Sequence, residues 1–202
     1  MKTRVIAVLL LTVLILSSFL ACTKKEDATN ESVSDTATET PVNPNAEIIT
    51  IKDEQYNINL TELDLNKKSL LNSDIEQLIY MENLTSLRLW QNQIDDISVL
   101  ENLTNLKELY VGSNPINNIT ALNNLTNLTH LGLQDCIIND ISVLSNLTNL
   151  TYLRLQGNQI NDISVLKGLT KLTYLELSKN PLTDEQIEEA RAALPACEIR
   201  WE

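Results

Sequence analysis

Hydrophobic and polar positions recur in the same order four times in succession over residues 87–174. Each period has 22 residues, the first reading LRLWQNQIDDISVLENLTNLKE, and the later copies begin at Leu109, Leu131 and Leu153. A fifth copy opens at Leu175 with LELSKNPL and then departs from the pattern. Self-similarity at this period is typical of a stacked solenoid, whose units bury their apolar faces only against their neighbours.

Apolar residues at alternate positions open each period, as Leu131 and Leu133 do in the third copy. Such alternation predicts a short strand, and equivalent strands of neighbouring units would stack about 4.8 Å apart. Further aliphatic columns, represented by Ile138, Ile141 and Leu144, complete an inward-facing core. The rest of the period is too short for a full helix, so we expect 3₁₀ turns or short extended pieces on the return side.

The recurring pattern LxxLxLxxNxIxDIxxLxNLTN resembles the bacterial leucine-rich repeat, and its 22-residue form is similar to the internalin type. The resemblance covers roughly residues 60–202. It implies an α/β solenoid with a curved parallel sheet on one face, 3₁₀ or short turns on the other, and a C-terminal capping helix and strand. Internalins often carry an immunoglobulin-like domain and a sorting signal after the repeats. Because the sequence stops at Trp201 and Glu202, we expect neither here, and the resemblance supports the fold rather than an invasion role.

One column is polar although its place in the period puts it inside the solenoid. Its members are Asn92, Asn114, Cys136, Asn158 and Asn180. A buried amide is tolerated when its donors and acceptor are paired, so we expect these asparagines to bond to the backbone of their own and neighbouring coils. We interpret the column as structural rather than as a polar channel or a metal site.

A second polar column precedes the return segment and contains Asp96, Asn118, Asp140 and Asp162. The sequence Asp-Ile-Ser predicts a cap, in which a side-chain oxygen accepts from free N–H groups of a short turn. Stacked carboxylates are also potential Ca²⁺ ligands. Because Asn118 interrupts the row and no known calcium-loop pattern occurs, we predict no metal.

Both ends of the solenoid need covering. Residues 183–186 (Thr-Asp-Glu-Gln) form a capping box, and the apolar spacing that follows predicts a helix ending at Pro195. Residues 197–201 then predict a last strand, with Trp201 covering the edge of the core. At the other end, we expect residues 48–51 and Tyr56 to supply the lid.

The first 21 residues have the composition of a bacterial lipoprotein signal peptide. Lys2 and Arg4 precede an apolar run over residues 5–20, as in a secretory signal. The run ends in Phe-Leu-Ala-Cys, which resembles a lipobox and implies that Cys22 carries a diacylglyceryl group. An uncleaved membrane anchor and an ordinary signal peptide cleaved elsewhere are the alternatives.

Residues 22–46 are rich in Thr, Ser, Asn, Pro and acids and poor in large apolar residues, so we predict a disordered tether with a reach of about 27 Å. The chain therefore divides into a signal peptide (1–21), a lipidated cysteine and tether (22–46), and a repeat domain with its caps (47–202).

Charge and chemistry exclude several functions. Loss of Lys2 and Arg4 with the signal would change the formal net charge from −12 to −14, which argues against nucleic acid and against docking on anionic lipid. There is no Gly-rich phosphate loop, no metal-ligand spacing and no nucleophile motif, so we predict neither an enzyme nor a cofactor. Cys136 and Cys197 lie about three coils, roughly 14 Å, apart, too far for a disulfide, and we expect both to be buried thiols.

The positions between the inward leucines point to the open face of the sheet, and core packing does not dictate their identity. The residues there that suit an interface are Arg88, Trp90, Tyr110, His130, Tyr152, Arg154 and Tyr174. Trp, Tyr and Arg commonly anchor interfaces. Gly112 and Gly132 are expected to leave a gap that a partner side chain could enter. The alternative is that the aromatics merely favour strands and shield the sheet.

Two functions remain open. The first is a lipid-tethered module in the bacterial cell envelope, on the outer face of a membrane, which binds a protein or peptide through the open face as a monomer. A glycan is a variant of this ligand, since Trp and Tyr also stack on sugars. The second is a passive surface lipoprotein with no cognate partner.

Overall fold

The computed structural model of the protein describes residues 47–202, so the predicted signal peptide, Cys22 and the tether lie outside the described residues. The strands are β1 (Ile48–Ile51), β2 (Glu54–Asn57), β3 (Glu62–Asp64), β4 (Ser86–Arg88), β5 (Glu108–Tyr110), β6 (His130–Gly132), β7 (Tyr152–Arg154), β8 (Tyr174–Glu176) and β9 (Glu198–Arg200). Within the described residues one α-helix, α1, covers Asp184–Ala193. Within residues 47–202 no helix is both long and apolar enough to cross a membrane.

Strands β3 to β9 form one parallel sheet of seven strands in chain order. The register places the central leucine of each strand beside that of the next, so that Leu131 lies between Leu109 and Leu153. Each period therefore contributes one strand and returns to the same edge, as the 22-residue repeat predicts. The solenoid predicted from the sequence is confirmed, with its parallel sheet on one side and short turns on the other.

The return side consists of 3₁₀ segments. They cover Asn72–Asp74, Glu76–Tyr80, Ser98–Leu100, Thr120–Asn124, Ser142–Asn146 and Ser164–Gly168. Asp140 Oδ1 accepts from Ser142 N at 2.8 Å, just before one of these segments. This bond recurs in the neighbouring coils, and in the coil that begins at Leu109 Asn118 replaces the carboxylate. The predicted capping role of the acidic column is confirmed.

The core is a continuous stack of aliphatic side chains. Leu131, Leu153 and Leu175 are fully buried, and so are the columns represented by Ile138 and Leu144. These columns merge into one hydrophobic cluster that runs from the N-terminal hairpin to α1. A coil therefore buries its apolar side chains against the coils before and after it, as expected of a repeat protein.

The asparagine column is bonded to the backbone, as predicted, and Asn92, Asn114 and Asn158 are buried, whereas Asn180 in the last coil is half-buried. Asn158 Nδ2 donates to Leu133 O and to Leu155 O, both at 2.8 Å, so one amide joins two consecutive coils. Its Oδ1 accepts from Ile138 N at 3.1 Å. Each asparagine of the column thus bonds to backbone N–H and C=O groups that lie beyond the ends of the short strands.

Cys136 replaces asparagine in this column, and the preceding coil changes with it. The Cys136 Sγ lies 3.9 Å from Val111 O, a much weaker contact than an amide makes. The Ile116 N–H, which an asparagine at position 136 would accept, donates instead to Asn114 O at 2.8 Å. Pro115 lies between these two residues, and its fixed φ suits such a three-residue turn. Proline in one coil therefore removes the need for an amide in the next.

Both cysteines of the described residues are free thiols, as predicted. Cys136 is buried, and this burial raises its pKa. The prediction that Cys197 is also buried is wrong, because it is half-buried. It follows α1 at the last coil, where there is a neighbouring coil on one side only. Burial, followed by the Glu198 carboxylate, still raises the Cys197 pKa to about 11, so this thiol is a poor nucleophile at neutral pH.

Separate caps cover the two ends. Strands β1 and β2 pair as an antiparallel hairpin, with Ile49 and Ile51 turned into the core. At the other end, Thr183 N donates to Gln186 Oε1 at 2.9 Å and the Thr183 hydroxyl accepts from Gln186 N at 3.3 Å, which forms the predicted capping box at the start of α1. Strand β9 extends the sheet, and the half-buried Trp201 packs against the core.

Candidate binding face

The open face is the side of the β3–β9 sheet that faces away from the leucine core. All seven residues predicted for the interface have half-buried side chains on this face. None of them belongs to the buried hydrophobic core. Their identity is therefore set by something other than core packing.

The structure divides the seven residues into two groups. Arg88, Trp90, Tyr110 and Arg154 line an open depression of about 430 Å³, hereafter the Arg154 depression. Its remaining lining residues are Asn66, Gln134 and Asp135. His130, Tyr152 and Tyr174 lie outside this lining and form a separate row at the beginnings of β6, β7 and β8. Sequence reasoning predicted one patch, and the structure places two surfaces side by side.

The row at the strand beginnings is an aromatic stack. Tyr152 and Tyr174 have ring centroids 4.7 Å apart with an interplanar angle of 9°, and the His130 ring stacks on Tyr152 at 5.7 Å. Arg200 lies over the Tyr174 ring at 5.4 Å from its centroid. Partial burial, followed by the hydrogen bond to Glu176, raises the Tyr174 pKa, so its hydroxyl stays a neutral donor. These rings pack against one another and form a row on the open face, and they do not line a cavity.

The predicted gap above Gly112 and Gly132 does not exist. A Cβ at Gly112 would come within 2.5 Å of Gln134 Cδ and 2.7 Å of Gln134 O, and a Cβ at Gly132 would lie 2.9 Å from Tyr110 Cδ1. The two glycines therefore make room for side chains of this same chain. Gln134 follows Leu133 at an outward position of the repeat, yet its side chain is only 7% exposed. His130 does not flank the depression.

Two cations beside the depression already contact other side chains of the open face. Arg88 Nη2 lies 3.4 Å from Glu108 Oε2, and the Arg88 guanidinium lies 5.5 Å from the Tyr110 ring centroid. Burial, followed by Glu108, raises the Tyr110 pKa, so this phenol is neutral at physiological pH. Lys67 Nζ lies 4.8 Å from the Trp90 ring centroid. Arg154 differs from these cations, because its partner is the neutral amide of Gln156.

Four residues at this site were not among the seven predicted. Lys67, Asn66 and Asp135 lie on the turns that follow the strands, and Lys67 and Asp135 adopt positive φ values of 58° and 52°. Asn66 Oδ1 accepts from Trp90 N at 2.7 Å and so holds one wall of the depression. Gln134 occupies the same outward position of the repeat as Trp90, and this equivalence was the sequence signal that could have identified it as a site residue. No group of three or more potential metal ligands occurs within residues 47–202.

A parallel solenoid with a leucine core and an open sheet face defines a repeat protein of the leucine-rich class. The sequence model described as leucine-rich repeats (2 copies) matches residues 82–124, 126–168 and 148–189, more than half of the chain. The chain belongs to the leucine-rich repeat family. No match was found among the curated protein sequences.

Three solved structures that share this fold come from bacteria. An internalin (inlF) from Listeria monocytogenes has 31% sequence identity and a TM-score of 0.58, over 73% of this chain and 50% of that one. Internalin C2 (inlC2) from the same species has 30% identity and a TM-score of 0.52, over 69% of each chain. A leucine-rich repeat protein from Leptospira interrogans has 25% identity and a TM-score of 0.52, over 61% of this chain and 38% of that one. The chain thus spans about half the length of the inlF structure.

These similarities show how folds of this class are generally used. Leucine-rich repeat and internalin-like folds generally mediate protein–protein interaction, and no enzymatic family is indicated. Bacterial relatives of the internalin type are often surface or secreted proteins.

Proposed function

We propose that this protein is a monomeric binding module of the bacterial cell envelope, tethered outside a membrane by a lipid on Cys22, and that its open face binds a protein or peptide partner. The observation that carries the proposal is the Arg154 depression, where Trp90, Tyr110 and two arginines meet outside the core. These residue types dominate the energetics of protein interfaces. The depression is also large enough to admit more than one side chain.

The composition of the open face favours binding over a passive role. The aromatic residues of the stack and of the depression are half-buried without contributing to the buried core. A passive sheet surface needs only β-branched or polar residues at these positions. Arginine and tryptophan beside an open cavity add little to folding, whereas a partner that covers them excludes water and gains their full contact area.

Single alanine substitutions at Trp90, Tyr152 or Arg154 are expected to weaken partner binding by about 2 kcal/mol or more, roughly thirtyfold, while folding stays nearly unchanged. Glu101→Ala and Lys167→Ala on the return side are the matched controls. The full chain, immobilised in detergent, is incubated with bacterial envelope extract and with extracellular-matrix extract. The captured partner is then titrated against each variant at matched thermal stability.

Equal affinity across all five variants would show that the open face is not where this protein works. If the captured molecule is a glycan rather than a protein, the result supports the glycan alternative, since aromatic rings stack on sugars as well as on peptides. Loss of binding in Glu101→Ala alone would place the interface on the return side.

The lipid anchor is the second part of the proposal. It rests on the apolar run over residues 5–20, on the small residue Ala21 before Cys22, and on the polar segment that follows. A diacylglyceryl group with an added acyl chain gives stable membrane attachment, because multiple chains are needed for lasting anchorage.

Cys22→Ser is expected to abolish the incorporation of a labelled fatty acid, because the serine hydroxyl cannot form the thioether. Ala21→Ser, which keeps a small residue at that position, should retain the label and is the matched control. A wild-type protein that enters the detergent phase on phase partitioning without taking up the label would instead support an uncleaved membrane anchor.

A further inference from the structure

Resting on the proposed function, we propose that the Arg154 depression is the receptor site for an acidic side chain of the partner, a glutamate or aspartate flanked by neutral or basic residues. Arg154 supplies the charge, Gln134 supplies a hydrogen-bonding amide, and Trp90 and Tyr110 supply the apolar walls. The partner chemistry thus defined is a single carboxylate rather than a polyanion.

Arg154 is the arginine that the described residues leave without a carboxylate. Of the four arginines in residues 47–202, Arg88 pairs with Glu108, Arg191 with Glu188 and Arg200 with Glu198, and Arg154 forms no salt bridge. A guanidinium offers five N–H donors in a planar fork that matches a carboxylate. The free fork is therefore the strongest recognition element on this face.

The neighbours of Arg154 explain why its charge is uncompensated. Glu176 lies beside it in register on β8, but its carboxylate accepts from the Tyr174 hydroxyl at 3.0 Å and from Ser178 N at 3.3 Å. On β6 the residue in register is Gly132, which has no side chain. With its amide turned so that the oxygen faces the guanidinium, Gln156 accepts from Arg154 Nε at 3.3 Å and from Nη2 at 2.6 Å, which orients the guanidinium without neutralising it.

Gln134 adds an independent observation. Its side chain is 7% exposed, lines the depression, and its Oε1 has no hydrogen-bond partner among the described residues. A buried acceptor without a donor is unfavourable, and native proteins rarely leave one unpaired. An amide that turns about its terminal bond can donate Nε2 to an incoming carboxylate or accept a main-chain N–H of the same segment. A peptide bearing a glutamate brings both groups.

Charge complementarity favours an isolated acidic residue. The depression contains two arginines and one carboxylate, Asp135, within a chain whose formal net charge is −12. The open face around it carries acids, among them Glu62, Asp64 and Glu108. A polyanion would be repelled by this surround, whereas one carboxylate among neutral or basic residues meets the arginines and leaves its basic neighbours facing the acids.

The test uses a displayed library of random peptides selected on the full chain in detergent, and it compares wild type with Arg154→Gln, Trp90→Ala and the control Glu101→Ala. Selected peptides are expected to share an acidic residue. Replacing that residue by its amide should weaken binding to wild type by at least about tenfold, and the same replacement should have no effect on Arg154→Gln. Thermal melts check that each variant is folded.

Two other results separate the failure of this inference from the failure of the proposed function. If the peptides lose affinity for Trp90→Ala but tolerate both the acid-to-amide replacement and Arg154→Gln, the open face binds and the carboxylate site is wrong. If no selected peptide depends on Trp90 or Arg154, both the carboxylate site and the proposed use of the open face are overturned.

Discussion

Leu153→Ala should lower the free energy of unfolding by about 2–5 kcal/mol, the largest loss we expect from any single substitution in this protein. Leu153 is fully buried and lies between Leu131 and Leu175 in the sheet register, so its removal leaves a cavity bordered by both neighbouring coils. The coils cannot close this cavity without shifting the strands on either side. Urea unfolding followed by circular dichroism measures the change.

Leu71→Ala is the matched control, because Leu71 is the same residue type with 50% of its surface exposed. It should cost about 1 kcal/mol or less. Since each coil contacts only its neighbours, Leu153→Ala is also expected to broaden the transition as the two halves of the stack uncouple. A sharp transition with an unchanged midpoint would contradict the assignment of Leu153 to a shared core column.

The fold could be predicted from the sequence because each inward column repeats one chemical type at a fixed period. The register of the five strands β4 to β8 follows from the period alone, since equivalent leucines must stack to bury one another. The capping box at Thr183 and the acidic caps before the 3₁₀ segments were also predictable, because both are local bonds between residues two or three positions apart.

The pairing of Pro115 with Cys136 could not be predicted from the repeat. In the repeat pattern, position 136 is an isolated exception to the asparagine column. In the structure the cause lies one coil earlier, where the turn at Pro115 redirects the Ile116 N–H to Asn114 O. Such a coupling depends on which backbone donor is free, and a column of residue types does not record it.

The candidate site was predicted in composition but not in arrangement. Outward positions identify which side chains lie on the open face, but they do not determine which way a long side chain turns. Gln134 folds over Gly112 and fills the gap expected there, and the Tyr110 ring covers Gly132. The stacking of Tyr152 on Tyr174 likewise draws the aromatic row away from the Arg154 depression. These outcomes follow from side-chain packing between adjacent strands.

Asn158→Ala should give the second large loss, about 3 kcal/mol, although it deletes a polar side chain. The Asn158 amide is the partner of Leu133 O, Leu155 O and Ile138 N, and all three are in buried surroundings. One unpaired buried group costs about 1–3 kcal/mol, and partial relaxation keeps the total below the sum of three. Urea unfolding of this variant is compared with that of Asn127→Ala.

Asn127 is the matched control because it is exposed and donates one bond, to Thr104 O at 2.8 Å, on the return side. Its truncation should cost about 0.5 kcal/mol or less. Asn158→Asp then distinguishes the acceptor role of the amide from its donor role. It keeps an acceptor for Ile138 N, but it replaces the donor NH₂ by an oxygen that faces two carbonyl oxygens. The buried carboxyl would favour its protonated form, so this variant should lose stability as the pH rises above the usual range of aspartate. A neutral Asn158→Ala would mean that the asparagine column is not what joins the coils.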